Sequence, residues 1–104
     1  QPGAKTTFTT TTPTGSGWYR SLMGGVLTEF WFLSTGNVSS ATTATLDVTI
    51  AVGYRPADKT PLSAASSTTT KLAAAVVDSA GAVTVYNGHS SSAVVYIHGI
   101  YPNA

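Results

Sequence analysis

Side chains capable of acid–base or nucleophilic chemistry are few in this chain. Its carboxylates are Glu29, Asp47, Asp58 and Asp78. None falls in a recognisable pair of the kind that a glycosidase uses as acid and base, and two histidines are too few for a zinc site without carboxylate help. No HExxH or GxSxG motif is present. The sequence therefore predicts no enzymatic centre, no metal site and no cofactor. A carboxylate pair brought within about 5–10 Å by the fold would indicate a polysaccharide-cleaving module instead.

Aromatic side chains are the more informative group, because sugar C–H faces pack on ring faces while planar polar groups bind sugar hydroxyls. Trp31 lies between Phe30 and Phe32, so on a strand it points to the opposite side from both. This position predicts either a ring exposed for binding or, as the favoured alternative, a place in the core or at an oligomer axis. Trp18, close to Arg20 and just after a glycine-rich stretch, is expected at the surface.

Loop positions add two further binding candidates. His89 lies in a glycine- and serine-rich loop, where binding residues are common, whereas His98 lies within a strand pattern and is expected in a core or interface. Asp58 follows Pro56 closely, and it is expected to bind a ligand hydroxyl or to pair near Lys59. The predicted ligand-binding residues are Trp18, Arg20, Trp31, Asp58 and His89.

Composition limits the fold and the partners. Threonine and serine fill 30 of the 104 positions, and a hydroxyl-rich, valine-rich chain favours pleated strands over helices. Charged residues make up only 9% of the chain, and its five basic residues are scattered. Nucleic acid and anionic lipid usually require clustered lysine and arginine, so neither is expected as a partner. No apolar run is long enough to cross a bilayer, and the absence of cysteine excludes disulfides.

The first half of the chain predicts an extended segment followed by strands. Residues 1–17 are rich in Thr, Gly and Pro, which predicts an extended lead-in from a preceding shaft or neck, with a head domain over residues 18–104. Residues 18–33 are apolar and interrupted by two glycines, which predicts two strands joined by a turn. Residues 26–33 are apolar on both faces, so both should be covered, by a second sheet or by another subunit. Residues 46–52 alternate with period two, which predicts a strand with one buried face.

The second half predicts a polar connection over residues 57–70, a hairpin and a final strand. Apolar runs at 72–77 and 82–86 flank a short loop that ends in Gly81. Asp78 is expected to close that turn by bonding backbone amides, and Asp47 is expected to be solvated. The strand over residues 93–101 ends at Pro102. Together these patterns predict an all-β antiparallel sandwich, jelly-roll-like, or a partly closed barrel of six to eight short strands.

Three short motifs carry a family resemblance over roughly residues 18–102. They are Gly53-Tyr54-Arg55-Pro56, the hairpin strand that begins at Gly81 and ends at Tyr86, and the closing Ile100-Tyr101-Pro102. In these the chain resembles the C-terminal head domains of phage tail receptor-binding proteins, baseplate proteins and tail-fibre tips. The resemblance implies a homotrimeric β head at the tail tip of a virion. Such a head recognises host cell-surface polysaccharide outside the cell, next to other tail or baseplate proteins, and Arg55 is expected to brace a turn.

Two other functions remain open from the sequence. One is a purely structural trimerisation or decoration domain of a virion or tail, in which the aromatic residues serve packing and no glycan is bound. The other is the polysaccharide-cleaving module described above.

Overall fold

The computed structural model describes residues 2–66, 73–88 and 91–104, which fold into one antiparallel sheet. The eight strands of these residues are β1 (Thr6–Thr11), β2 (Thr14–Leu22), β3 (Leu27–Ser34), β4 (Thr42–Thr49), β5 (Thr60–Ser66), β6 (Ala73–Val77), β7 (Ala82–Asn87) and β8 (Val95–Pro102). Their order across the sheet is β1-β2-β3-β8-β5-β6-β7-β4. The described residues contain one 3₁₀ turn, Met23–Gly25, and no α-helix. The all-β prediction is confirmed.

The sheet curls into a nearly closed barrel whose two edge strands meet at one end. The carboxylate of Asp47 on β4 accepts hydrogen bonds from the Thr11 amide, at 2.9 and 3.0 Å, and from the Thr11 hydroxyl, at 2.8 Å. The Thr12 amide donates to the same carboxylate at 3.3 Å. Asp47 is exposed, but it is not simply solvated as predicted, because sheet curvature brings the end of β1 to it.

Alternation along the strands separates a buried inner face from an outer face. On β3, Thr28, Phe30, Phe32 and Ser34 are buried. The intervening residues are only partly covered, so this chain closes one face of β3 fully rather than both. The largest fully buried side chains include Phe30, Phe32, Ile50, Ile97 and Tyr101. Burial raises the pKa of the Tyr101 hydroxyl, which donates to the Tyr54 carbonyl at 2.6 Å.

Residues 6–17 belong to this sheet rather than standing outside it. The segment is extended, as predicted, but β2 runs across the boundary that the sequence analysis set after residue 17. The ring of Phe8 stacks on Phe30 and Phe32 with centroids 5.7 and 6.1 Å apart. Gly17 makes this packing possible, because a Cβ there would lie 2.7 Å from Cζ of Phe8 and closer still to the Trp31 carbonyl oxygen of the neighbouring strand. The glycines that suggested a linker are thus positions where one strand must let a ring approach.

The connection predicted over residues 57–70 is the other main departure in its described part, residues 57–66, while residues 67–70 lie outside the described residues. Thr60–Ser66 forms β5, which pairs with β6 and β8. Its inward positions are Leu62, Ala64 and Ser66, and only the first is a large apolar side chain, so the period-two pattern was too weak to detect. Val52, predicted on the buried face of β4, is 80% exposed because the strand ends at Thr49 and a turn follows.

The hairpin and the final strand agree with the predictions where the structure describes them. β6 and β7 are antiparallel neighbours, and Ala73–Val77 is a strand. Asp78 closes the turn by accepting hydrogen bonds from the amides of Ala80 and Ala82 at 2.9 and 3.0 Å. Arg55 braces a turn by donating from Nε to the Ile50 carbonyl at 2.6 Å. Leu72, at the start of the predicted hairpin, lies outside the described residues.

Candidate functional site

A row of outward side chains crosses five neighbouring strands of the barrel. The paired residues of this row, from β1 to β5, are Thr7, Trp18, Trp31, His98 and Ser63. Residues directly opposite each other in an antiparallel sheet project from the same face, so these five lie side by side on the outside. We call this row and its neighbours Lys5, Arg20, Glu29 and Tyr96 the tryptophan face.

The two tryptophans form the centre of this face. Their rings lie within 16° of parallel with centroids 6.2 Å apart. Cations flank Trp18, because Lys5 Nζ lies 4.3 Å and Arg20 Cζ 5.2 Å from its ring centroid. A cation over an indole ring is attracted by its π electrons. The rings are therefore held in place by neighbouring side chains, and both remain partly accessible.

Glu29 connects the polar side chains around the rings. Arg20 donates from Nε to one carboxylate oxygen at 2.8 Å, and Nε2 of His98 lies 2.9 Å from the other. The pKa of Glu29 lies below its usual range, mainly because of the hydrogen bond with His98. Partial burial raises this pKa, and Arg20 lowers it further. The carboxylate fixes Arg20 on β2 and His98 on β8, on either side of Trp31. Among the described hydrogen bonds, the guanidinium uses only Nε, which leaves its terminal nitrogens to bind a ligand.

Two shallow grooves lie on this face, one on each side of Trp31. The first, of about 260 Å³, runs over β8 and β5 between Trp31, Tyr96, His98 and the exposed side chains of Ser63 and Ala65. The second, of about 410 Å³, runs over β1 and β2 and is lined by Trp31, Trp18, Gly17 and the hydroxyl side chains of Thr7, Thr9 and Ser16. Trp31 is the shared wall, so a ligand that fills both grooves must cross its ring.

Three of the five residues predicted to bind a ligand come together here. Trp18, Arg20 and Trp31 lie on the tryptophan face. Trp31 therefore lies outside the core, while the oligomer axis named in the same alternative stays a prediction. Asp58 is an exposed residue of the loop before β5, where its carbonyl accepts a hydrogen bond from the Thr60 hydroxyl, and it lines neither groove. His89 lies outside the described residues.

Lys5, Glu29 and Ser63 were not among the predicted binding residues. His98 was expected in a core or interface; its side chain is 49% exposed on the outer face, so it lies outside the core, and a place in an interface stays a prediction. No sequence signal separated the two faces of β8, because Tyr96 and Ile100 on the His98 face are as large as Ile97 and Tyr101 on the buried face. The pairing of His98 with Trp31 had no signal, since it depends on a register between strands far apart in the chain.

The described residues contain no group of metal ligands and no membrane-spanning helix, and known proteins offer no match. Within residues 2–66, 73–88 and 91–104, no three histidine or acidic side chains are grouped so that they could hold a metal ion. The same residues form no helix that is long and apolar enough to span a membrane. Comparison with known proteins found no matching family model, no matching curated protein and no matching solved structure.

Proposed function

We propose that this chain is the receptor-binding head of a phage tail and that it recognises host cell-surface saccharide through the tryptophan face. The observation that carries the proposal is the partly accessible Trp18–Trp31 pair between two open grooves. Ring faces suit the C–H faces of sugars, while the hydroxyl side chains of both grooves, His98 and the guanidinium of Arg20 supply donors and acceptors for sugar hydroxyls.

The open grooves suit weak binding at each site. A shallow groove covers less of a ligand than an enclosed pocket does, so one domain alone holds a saccharide loosely. Several copies on one particle raise the apparent affinity, because every binding event after the first is intramolecular. A homotrimer at the tail tip is therefore part of the proposal.

A second outer face supports the oligomer. The outward residues of β4, β7 and β6 are paired as Thr43, Tyr86 and Ala74 in one row and as Thr45, Thr84 and Val76 in the next. None of these six side chains is charged, so a copy of the chain packed here would bury no unpaired charge. This face also favours the second candidate function, a purely structural trimerisation or decoration domain without glycan binding.

A pull-down on intact candidate host cells, with light scattering for the oligomeric state, tests the proposal. We expect the wild-type domain to bind the cells as a trimer. We expect Trp31→Ala to weaken binding to the extracted surface polysaccharide by about 30-fold or more, as for a central aromatic contact. Val52→Ala, at an 80% exposed side chain in the turn after β4 that lines neither groove, is the control and should bind normally.

The remaining outcomes separate the alternatives. A trimer that binds no candidate cells and no extracted polysaccharide would support the structural function and overturn saccharide recognition. New reducing ends after incubation with the polysaccharide would indicate a cleaving module. If Trp31→Ala and Val52→Ala bound equally well, the saccharide site would lie away from the tryptophan face.

A further inference from the structure

We infer that the tryptophan face binds an internal segment of a linear polysaccharide that lies across the strands, rather than the terminal sugar of a chain. The inference rests on the proposed function and names the form of the ligand. Its basis is the arrangement of the two grooves, which share Trp31 and lie on opposite sides of it along the same row of side chains.

The span of the row decides against a single sugar. The grooves extend from Thr7 on β1 to Ser63 on β5, and these two residues lie on the first and last of five adjacent strands. Neighbouring strands are about 4.8 Å apart, so the row is about 19 Å long before curvature is taken into account. One sugar ring reaches only part of that distance. A ligand that contacts both grooves must contain several linked rings, with one of them passing over Trp31.

The shape of the grooves decides against an end-on ligand. A pocket for a terminal sugar surrounds it and buries most of its surface. Here the first groove is bordered at its outer side by exposed Ser63 and Ala65, and the second by exposed Thr7 and Thr9 on the edge strand β1. These small side chains do not close either groove at its outer end, so a polysaccharide chain can extend past both ends.

Polar groups are distributed along the row as a chain of sugars requires. Hydroxyl side chains lie in the outer part of each groove, His98 lies beside Trp31, and Arg20 and Lys5 lie beside Trp18. Each successive ring therefore meets at least one donor or acceptor. A polar cluster that recognised one terminal sugar would be concentrated at one place.

The test uses the polysaccharide extracted from the cells that the domain binds, cut by partial acid hydrolysis and separated by length. Calorimetry on the whole domain should show affinity that rises by at least about tenfold from disaccharide to the fragment that spans both grooves, and then stays constant. Chemical blocking of both chain ends of a long fragment should leave its affinity unchanged.

Two groove variants locate the chain. Ala65→Ile narrows the groove over β5, and Ser16→Ile narrows the groove over β2, without adding a ring on which a sugar could pack; both residues are exposed, and isoleucine favours strands, so the fold tolerates the change. Each variant should lower the affinity for long fragments towards that for short ones. Val52→Ala is again the control. Thermal unfolding of each variant distinguishes a blocked groove from a damaged fold.

The outcomes separate this inference from the proposed function. Maximal affinity for a single sugar or disaccharide, or loss of binding on blocking the chain ends, would overturn the inference while Trp31-dependent binding kept the proposed function intact. The absence of any saccharide binding by the wild-type domain would overturn both.

Discussion

Phe8 on β1 provides the sharpest test of how this barrel is assembled, because its ring alone joins the N-terminal strand to the aromatic core. It stacks on Phe30 and Phe32 and lies 6.3 Å from Tyr19, centroid to centroid. Truncating a fully buried phenylalanine to alanine costs about 3–5 kcal/mol. Phe8 is partly buried, so a cost of about 2–3 kcal/mol is expected for Phe8→Ala, including ring–ring contacts of about 0.5–1.5 kcal/mol per pair.

Thermal unfolding measures this cost directly. In a domain of about 100 residues, 1 kcal/mol corresponds to roughly 4–8 °C in Tm, so Phe8→Ala should melt roughly 10–20 °C below the wild type. Val52→Ala, at a side chain that is 80% exposed, is the control and should change stability by no more than about 0.5 kcal/mol. If Phe8→Ala were as stable as this control, β1 would not be packed in solution and residues 1–17 would be a lead-in after all.

Three further changes test separate contacts. The pKa of Asp47 is lowered in the folded protein, mainly by the hydrogen bond from the Thr11 hydroxyl and next by the one from the Thr11 amide. The ionised Asp47 carboxylate therefore contributes its full stabilisation above the ordinary pKa of 3.8, and this stabilisation is lost as the pH falls through the lower pKa of the folded state. Asp47→Asn should abolish this contribution to the pH dependence of unfolding and speed hydrogen exchange at the Thr11 amide. Equal exchange rates in the variant and the wild type would contradict the hydrogen bond between Thr11 and Asp47. Asn87→Ala should cost about 1–3 kcal/mol in urea unfolding, because the buried amide donates to the Val38, Ser39 and Ser91 carbonyls and the truncation removes these hydrogen bonds from a buried site. Exposed Asn37→Ala is its control. Gly17→Ala should cost about 1–3 kcal/mol by overpacking against the Trp31 carbonyl oxygen and the Phe8 ring, whereas exposed Ser16→Ala should melt like the wild type.

The strands that the sequence reveals are those with large apolar side chains on one face. On β4, Leu46 and Val48 alternate with exposed Asp47 and Thr49, and the predicted strand is present there. β5 lacks this contrast, because alanine and serine fill two of its inward positions and both residue types are as common in loops. A strand whose inward side chains are small is therefore hard to detect from the sequence.

For the tryptophan face, the direction of a single side chain could be predicted from the sequence, but its neighbours on other strands could not. That Trp31 points away from Phe30 and Phe32 follows from the pleat of one strand. That it lies between Trp18 and His98 follows from two registers, and the β3–β8 register joins residues far apart in the chain. Such a register is determined by the packing of the whole inner face, which no local pattern encodes.

Because packing of the inner face determines the strand register, it also determines the positions of the outer side chains, even in a domain with a small core. A slip of β3 by one residue would turn Phe30 and Phe32 outwards and bury Glu29 and Trp31, and the cost of burying a charged carboxylate excludes that register. Trp31 is therefore positioned by the residues on either side of it, and Glu29 then orients Arg20 and His98. Side chains already ordered in the free protein lose little conformational entropy on binding. The proposed saccharide recognition therefore does not require a pocket that encloses the ligand.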